Sequence, residues 1–346
     1  MAHAVDKLLV SFSHLKEFSK CPRLYKEHYI DKTYVPPQQD YFTYGSLVDA
    51  MLTAPESVAE KFVRVERKVD ASKVLQIEED IKGLLAEMEA PDKKGLSMRQ
   101  KASEGNKTAI KGIEAREAKI EEKSTDLKMI RELGNKIQVT PAMWDDCEQT
   151  VESIRNNPTY KQILKANPVY QVTLQSTKLG RKGTLDVLVM SAPLRTLFLA
   201  WNMDMTQYDE FRRNVDALPE ADRWIYVWDI KTCAALAYEK FEAEMYAGQL
   251  EMYRCLVEEI FGINPLCGLV VGDKDASRKM TQDYIFKPET LLKAGDSLKE
   301  VEALFRMAFR DNHFPPAKQI RGVKQQCFTC TMCSDRPYSL EDPIAV

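Results

Sequence analysis

Nowhere in the 346 residues do eighteen apolar side chains follow one another, the least that a membrane-spanning helix requires. Met1 to Val10 lacks the basic start and apolar stretch of a secretory leader. Together these absences predict a soluble, intracellular, cytoplasmic protein without a membrane partner. Excess positive charge is also missing. The formal net charge is -3, so there is no global basic field, and contact with nucleic acid must come from local patches. No internal repeat is present.

What is present suffices for a proper core: 44% of residues are apolar, and the length allows one large domain or two. Eight cysteines in a reducing compartment suggest thiols or metal ligands rather than disulfides. Three of them, Cys327, Cys330 and Cys333, are evenly spaced in a tail that also carries Lys318, Arg321, Lys324 and Arg336. Cys147, Cys233, Cys255 and Cys267 are isolated and read as core thiols.

The chain is organised around Trp224-Ile225-Tyr226-Val227-Trp228-Asp229-Ile230-Lys231-Thr232. Its aromatic and β-branched start has the composition of a buried strand, yet it ends in Asp-x-Lys. Residues two apart on a strand face the same side, so Asp229 and Lys231 point together, roughly 7 Å apart along the chain. Taken alone, the pair reads first as a structural ion pair at a strand end, since such a tripeptide is common by chance.

Around this strand the chain falls into four parts. Residues 1–71 form an N-terminal helical segment. Within it, Ser13 reads as an N-cap with Leu15 and Phe18 on one helix face, followed by Cys21-Pro22-Arg23 and then a helix over Gly45 to Leu52. Asp49 is the single charge in that second helix, and a charge among apolar neighbours calls for a partner or a metal. Residues 72–140 are rich in Glu and Lys and predict two or three helices, with a polar loop from Pro91 to Lys107. The basic residues of that loop, Lys93, Lys94, Arg99, Lys101 and Lys107, read first as a solvated face. Residues 141–317 predict a helix from Trp144 to Leu164, strands over Val169 to Leu174 and Gly183 to Met190, and an insertion over 191–223 that is helical around Gln207 to Val215. The strand ending in Lys231 follows, then a clear helix from Glu242 to Phe261, strands over Leu266 to Val271 and Asp283 to Phe286, and a last helix from Pro288 to Arg310. Residues 318–346 are the cysteine-bearing tail.

Gly183-x-x-Asp186, Asp229-x-Lys231-Thr232 and Gln249-x-x-x-Tyr253, in that order, resemble the PD-(D/E)xK nuclease core. Ser13 to Arg23 looks like the opening of RecB-like and CRISPR-adaptation nucleases. Gly45-Ser46-Leu47-Val48-Asp49 looks like the Gly-x-x-x-His segment of exodeoxyribonuclease VIII, the RecE type, with Asp49 where that family commonly has His. The resemblance implies an α/β fold with a restriction-endonuclease-like core, a mixed central sheet flanked by helices, carrying a helical insertion. It implies a metal-dependent DNA exonuclease of recombination or repair, acting on linear ends, with a recombination or annealing protein and a second copy of itself as candidate partners. A CRISPR-adaptation-like end trimmer and a non-catalytic DNA-end-binding subunit are the alternatives, and the presence of all three charged core residues argues against the second.

In that reading Asp186 and Asp229 hold Mg²⁺ or Mn²⁺ with the Ile230 carbonyl, and Asp49 is an extra ligand, since carboxylate oxygen suits these hard ions. Lys231 orients the attacking water or stabilises the transition state. Gln249 and Tyr253 position the DNA backbone or the lysine. The iron–sulfur members of the RecB-like group imply that Cys21 joins Cys327, Cys330 and Cys333 in a four-thiolate site, suited to [4Fe–4S] or alternatively Zn²⁺. The late cysteines lie closer together than in that group.

Overall fold

The computed structural model describes residues 8–34, 40–70, 73–93, 95–233, 240–275 and 280–314, with backbone alone over 240–245. Cys327, Cys330, Cys333 and the basic residues of the tail lie outside the described residues, as do Pro36-Pro37 and Lys94. The chain divides into two compact units, Met1–Pro55 with Asp146–Val346, and Glu56–Asp145.

The first unit opens with helix α1 (Phe12–Lys20), α2 (Pro22–Tyr25) with a π-helical turn over Lys26–Ile30, and α3 (Asp40–Thr53). Ser11 rather than Ser13 caps α1. Its backbone is extended and its hydroxyl accepts the His14 N–H at 3.4 Å, whereas Ser13 already lies inside the helix. Leu15 and Phe18 face inward as their spacing requires.

The second unit holds α4 (Val58–Lys61), β1 (Phe62–Arg64), α5 (Val74–Glu89), α6 (Met98–Ser103), α7 (Lys107–Leu133) and β2 (Ile137–Val139). Parallel pairing of β1 with β2 ties its two ends together. Ion pairs Arg116–Glu87, Lys123–Asp80 and Arg131–Glu78 run in opposite chain directions, so α5 and α7 form an antiparallel hairpin. The expected polar loop contains α6, started by a capping box between Ser97 and Gln100. Arg99 and Lys101 in it pair with Glu89 and Asp92, the solvated-face arrangement that such a run ordinarily adopts.

The chain continues through α8 (Pro141–Asn156), α9 (Pro158–Lys165), β3 (Val169–Ser176), β4 (Arg181–Met190), α10 (Ala192–Trp201), α11 (Tyr208–Asp216), β5 (Ile225–Cys233), α12 (Lys240–Phe261), β6 (Leu266–Asp273), β7 (Thr281–Ile285) and α13 (Pro288–Asp311). The single helix expected over Trp144 to Leu164 is two. Pro158 lacks the N–H that a continuing helix needs, and Asn157 caps the second helix through the Tyr160 N–H at 3.0 Å. The 191–223 insertion holds α10 beside the expected α11, locked by Trp201 stacked on Phe211 at 4.3 Å between ring centroids.

The five strands form one mixed sheet in the order β3-β4-β5-β6-β7. Only β5 and β6 are parallel, because α12 makes the crossover between them. One face of the sheet lies against α12, where the Cys267 thiol reaches the Leu250 carbonyl at 3.9 Å. On the other face Gly272 sits under Thr150 and Ile154 of α8. The architecture is thus mixed α/β, a mixed sheet flanked by helices.

Candidate functional site

The β4–β5 ladder pairs Val187–Met190 with Ile225–Trp228 and stops there. The next residues along it are Asp186 and Asp229, directly opposite each other where the strands part. β5 stays in register with β6 as far as Cys233, so β4 is the strand that leaves. Asp186 fills the opening, its carboxylate accepting the Ile230 N–H at 2.9 Å, a donor that the ladder no longer satisfies. Core alternation slips at the same point. Leu185 and Leu188 both enter the main hydrophobic cluster, although strict alternation would have put Leu185 with Val187. On β3 the residue level with Asp186 is Gln171, held at φ 50°, a conformation that costs a non-glycine residue free energy and concentrates at functional sites.

Asp229 is fully buried. It forms an ion pair with Lys231, and the same ammonium lies 4.0 Å from Asp186. One cation therefore serves two carboxylates. Burial pushes the Asp229 carboxyl well above its usual range. Lys231 opposes that shift and Asp186 reinforces it. Burial would push Lys231 down, but Asp229 and Asp186 outweigh it and hold the lysine above its ordinary value, fully charged. Gln249 of α12 donates both amide hydrogens, to Asp229 Oδ1 at 2.9 Å and to the Tyr253 hydroxyl at 2.7 Å. The Tyr253 ring reaches this position because Gly183 has no side chain: a Cβ there would lie 2.7 Å from the ring. Burial pushes the Tyr253 phenol up, with Asp229 and Asp186 adding to it, so it stays protonated.

Asp186, Asp229, Lys231, Gln249 and Tyr253 are thus brought into one hydrogen-bonded and ion-paired cluster. Asp49 stands on its border. Its carboxylate accepts from Gln171 Nε2 at 3.3 and 3.2 Å, and the same amide donates to Thr53 at 3.0 Å. Its helix meets β5 at Gly45, where a Cβ would lie 3.4 Å from the Thr232 hydroxyl. Gln171 and Thr53 were not among the expected site residues. The available signal was an amide on β3, one of two there with Gln175, level with the one acid on β4.

The residues suit a divalent cation in two respects. The Ile230 carbonyl stands 3.4 Å from the Lys231 ammonium, which also faces Asp186 and Asp229, and among the described residues the buried Asp229 Oδ2 has no hydrogen-bond donor. Its ion-pair partner is the Lys231 ammonium. Among the described residues, no three His, Cys, Asp or Glu side chains gather closely enough to hold a metal ion by themselves. Any hard cation here would complete its shell with water and substrate oxygens, as Mg²⁺ ordinarily does.

Cys21 is buried between α1 and α2, where its sulfur caps α2 by accepting the Leu24 N–H at 3.5 Å. Phe18, one turn before it, packs on Phe305 and on Phe314 of the segment after α13, at 5.2 and 6.5 Å between centroids. Phe314, the last described residue, thus lies against the helix face three residues before Cys21.

No family model matches the chain, and no curated protein does. Among solved structures, a presumptive exonuclease from Eubacterium rectale is similar over 98% of this chain and 92% of its own, at 13% identity and a TM-score of 0.51. That likeness is one of fold.

Proposed function

We propose that this protein is a metal-dependent DNA exonuclease with a PD-(D/E)xK core. The observation that carries the reading is the pairing of Asp186 with Asp229 at the point where β4 leaves β5, with Lys231 between them. A phosphodiesterase needs a hard cation on the phosphate, an oriented water and a positive group near the developing charge. Asp186, Asp229 and the Ile230 carbonyl would hold Mg²⁺ or Mn²⁺. When bound, the ion lowers the pKa of a coordinated water and neutralises charge on the phosphoryl group. Lys231 keeps its proton at the opening and turns toward the substrate once its carboxylate partners are engaged. Gln249 fixes the Asp229 carboxylate and the Tyr253 hydroxyl in one geometry. The similarity of fold to a protein described as an exonuclease points the same way.

Incubation with end-labelled linear duplex and with covalently closed circles, in Mg²⁺, Mn²⁺ or EDTA, tests the reading. Linear DNA should be degraded only with metal and circles spared. Equal rates on both would make the enzyme an endonuclease, and no cleavage of either would leave a DNA-end-binding protein.

Asp49 we assign to the same metal site, reached through solvent or substrate and held in place by Gln171. Asp49→Asn should raise the Mg²⁺ concentration for half-maximal activity about tenfold, the effect of replacing a carboxylate by an amide in the shell of a hard ion. An unchanged titration would reduce Asp49 to a partner of Gln171.

Cys21 we assign, with Cys327, Cys330 and Cys333, to a four-thiolate [4Fe–4S] or Zn²⁺ site that closes the tail onto α1. Support comes from the resemblance and from the packing of Phe314 against Phe18.

A further inference from the structure

We propose that Lys16 of α1 is a phosphate-binding residue of the same site, gripping the backbone of the DNA strand beside the acids. This rests on the nuclease reading and adds an interaction that none of the core residues supplies.

The position of Lys16 is built. Phe12 and Lys16 are four residues apart and share the helix face that meets α12. Phe12 lies close on Gly248, where an added Cβ would come within 3.2 Å of its ring, so α1 seats directly beside Gln249. One turn along, the Lys16 ammonium stands 5.6 Å from the centroid of the Tyr246 ring, and the Lys231 ammonium stands 5.3 Å from the same centroid. The ring quadrupole favours either cation, yet the two ammonium groups are no further apart than the sum of those distances. Like charges held so close repel unless an anion lies between or beside them.

Asp229 attracts both ammonium groups but is ion-paired with Lys231. Lys231 has Asp229 and Asp186, whereas no carboxylate pairs with Lys16 among the described residues. The side chain is half-buried, so solvent does not fully replace a partner. Burial lowers its pKa, Lys20 and Lys231 lower it further, and Asp229 and Glu17 only partly offset them. A phosphate of the bound strand is the anion that relieves this arrangement. It would meet one ammonium on a rigid helix next to the metal-binding acids, with the exposed Lys20 one turn further along as a second, solvated charge.

The test is equilibrium binding of a dye-labelled DNA duplex to the full-length protein in EDTA, across a range of KCl, for wild type, Lys16→Met and Lys16→Arg. Lys16→Met should weaken binding about three- to tenfold at moderate salt and flatten the plot of log affinity against log salt by about 0.7–0.9, the share of the slope that one neutralised phosphate carries. Lys16→Arg should keep the wild-type slope. In steady-state cleavage the loss should fall on KM more than on kcat. Melting curves come first, and Lys16→Gln replaces Lys16→Met if the latter is unfolded. An unchanged slope in a folded, charge-free variant, or an arginine variant as weak as the charge-free one, overturns the assignment of Lys16 while leaving the nuclease reading intact. A wild-type protein that binds no DNA overturns both.

Discussion

Asp229→Asn should lower DNA cleavage by at least about three orders of magnitude, the scale set by removing a transition-state electrostatic interaction together with a metal ligand, and should leave the protein folded. With both carboxyls ionised, the site holds two carboxylates and one ammonium, a net charge of one negative unit. Replacing Asp229 by the isosteric amide makes it neutral, and Lys231 keeps Asp186 as its partner. Lys231→Ala is a different case. It leaves Asp186 and Asp229 facing each other without a cation, and breaking a buried pair by removing one partner costs about 3–5 kcal/mol. That variant should be inactive and also destabilised in EDTA, with Mg²⁺ restoring much of its melting temperature.

The pH dependence separates the two effects. The Asp229 carboxyl is raised in the folded state by burial, so its contribution to stability is fully present at low pH and is lost as pH rises above the ordinary carboxylate range. Metal-free wild type should therefore melt at lower temperature as pH rises through that window, and Asp229→Asn should flatten the trend. Asp229→Asn that still cuts DNA at a rate near wild type would remove the two-acid site from the chemistry.

Much of this site could be read from the chain because its signals are local. Asp229 and Lys231 had to share a face on any strand, and Gln249 and Tyr253 on any helix, and each pair does meet in space. The β-αβ order around α12 was legible for the same reason: long apolar periodicities survive tertiary context. What could not be read depends on interactions between distant segments. The departure of β4 from β5 follows from the side chain of Asp186 replacing a ladder partner. The place of Gln171 follows from a left-handed backbone that no propensity scale assigns to glutamine. Lys16 gave no signal at all, since one lysine on an amphipathic helix is ordinary until α12 brings Tyr246 beneath it. The break between α8 and α9 was written in Asn157-Pro158, and the turn chemistry of that pair outweighs the helical spacing on either side.

Cys21→Ser should strip the protein of about four irons per chain, if the tail cluster is [4Fe–4S], and lower the melting temperature by ten degrees or so, since metal-binding free energy at such a site is folding free energy. Serine is the informative substitution because Cys21 has a second role. Its sulfur caps α2 through the Leu24 N–H at a long 3.5 Å, and a serine hydroxyl is a better N-cap than a thiol. If capping and packing were all that Cys21 does, Cys21→Ser should be neutral or slightly stabilising, and Cys21→Ala should cost about 1 kcal/mol for the missing cap. If Cys21 is a ligand, both variants should lose the metal together and lose no more when combined with Cys330→Ala. Phe314, the last described residue, packs on Phe18, three residues before Cys21. Anaerobic purification, iron and zinc analysis and melting of the serine variant decide the matter. A brown wild type that bleaches in Cys21→Ser fixes the cluster as iron–sulfur, a colourless one that loses a single zinc fixes it as zinc, and a serine variant with full metal content and an unchanged melting temperature returns Cys21 to its cap.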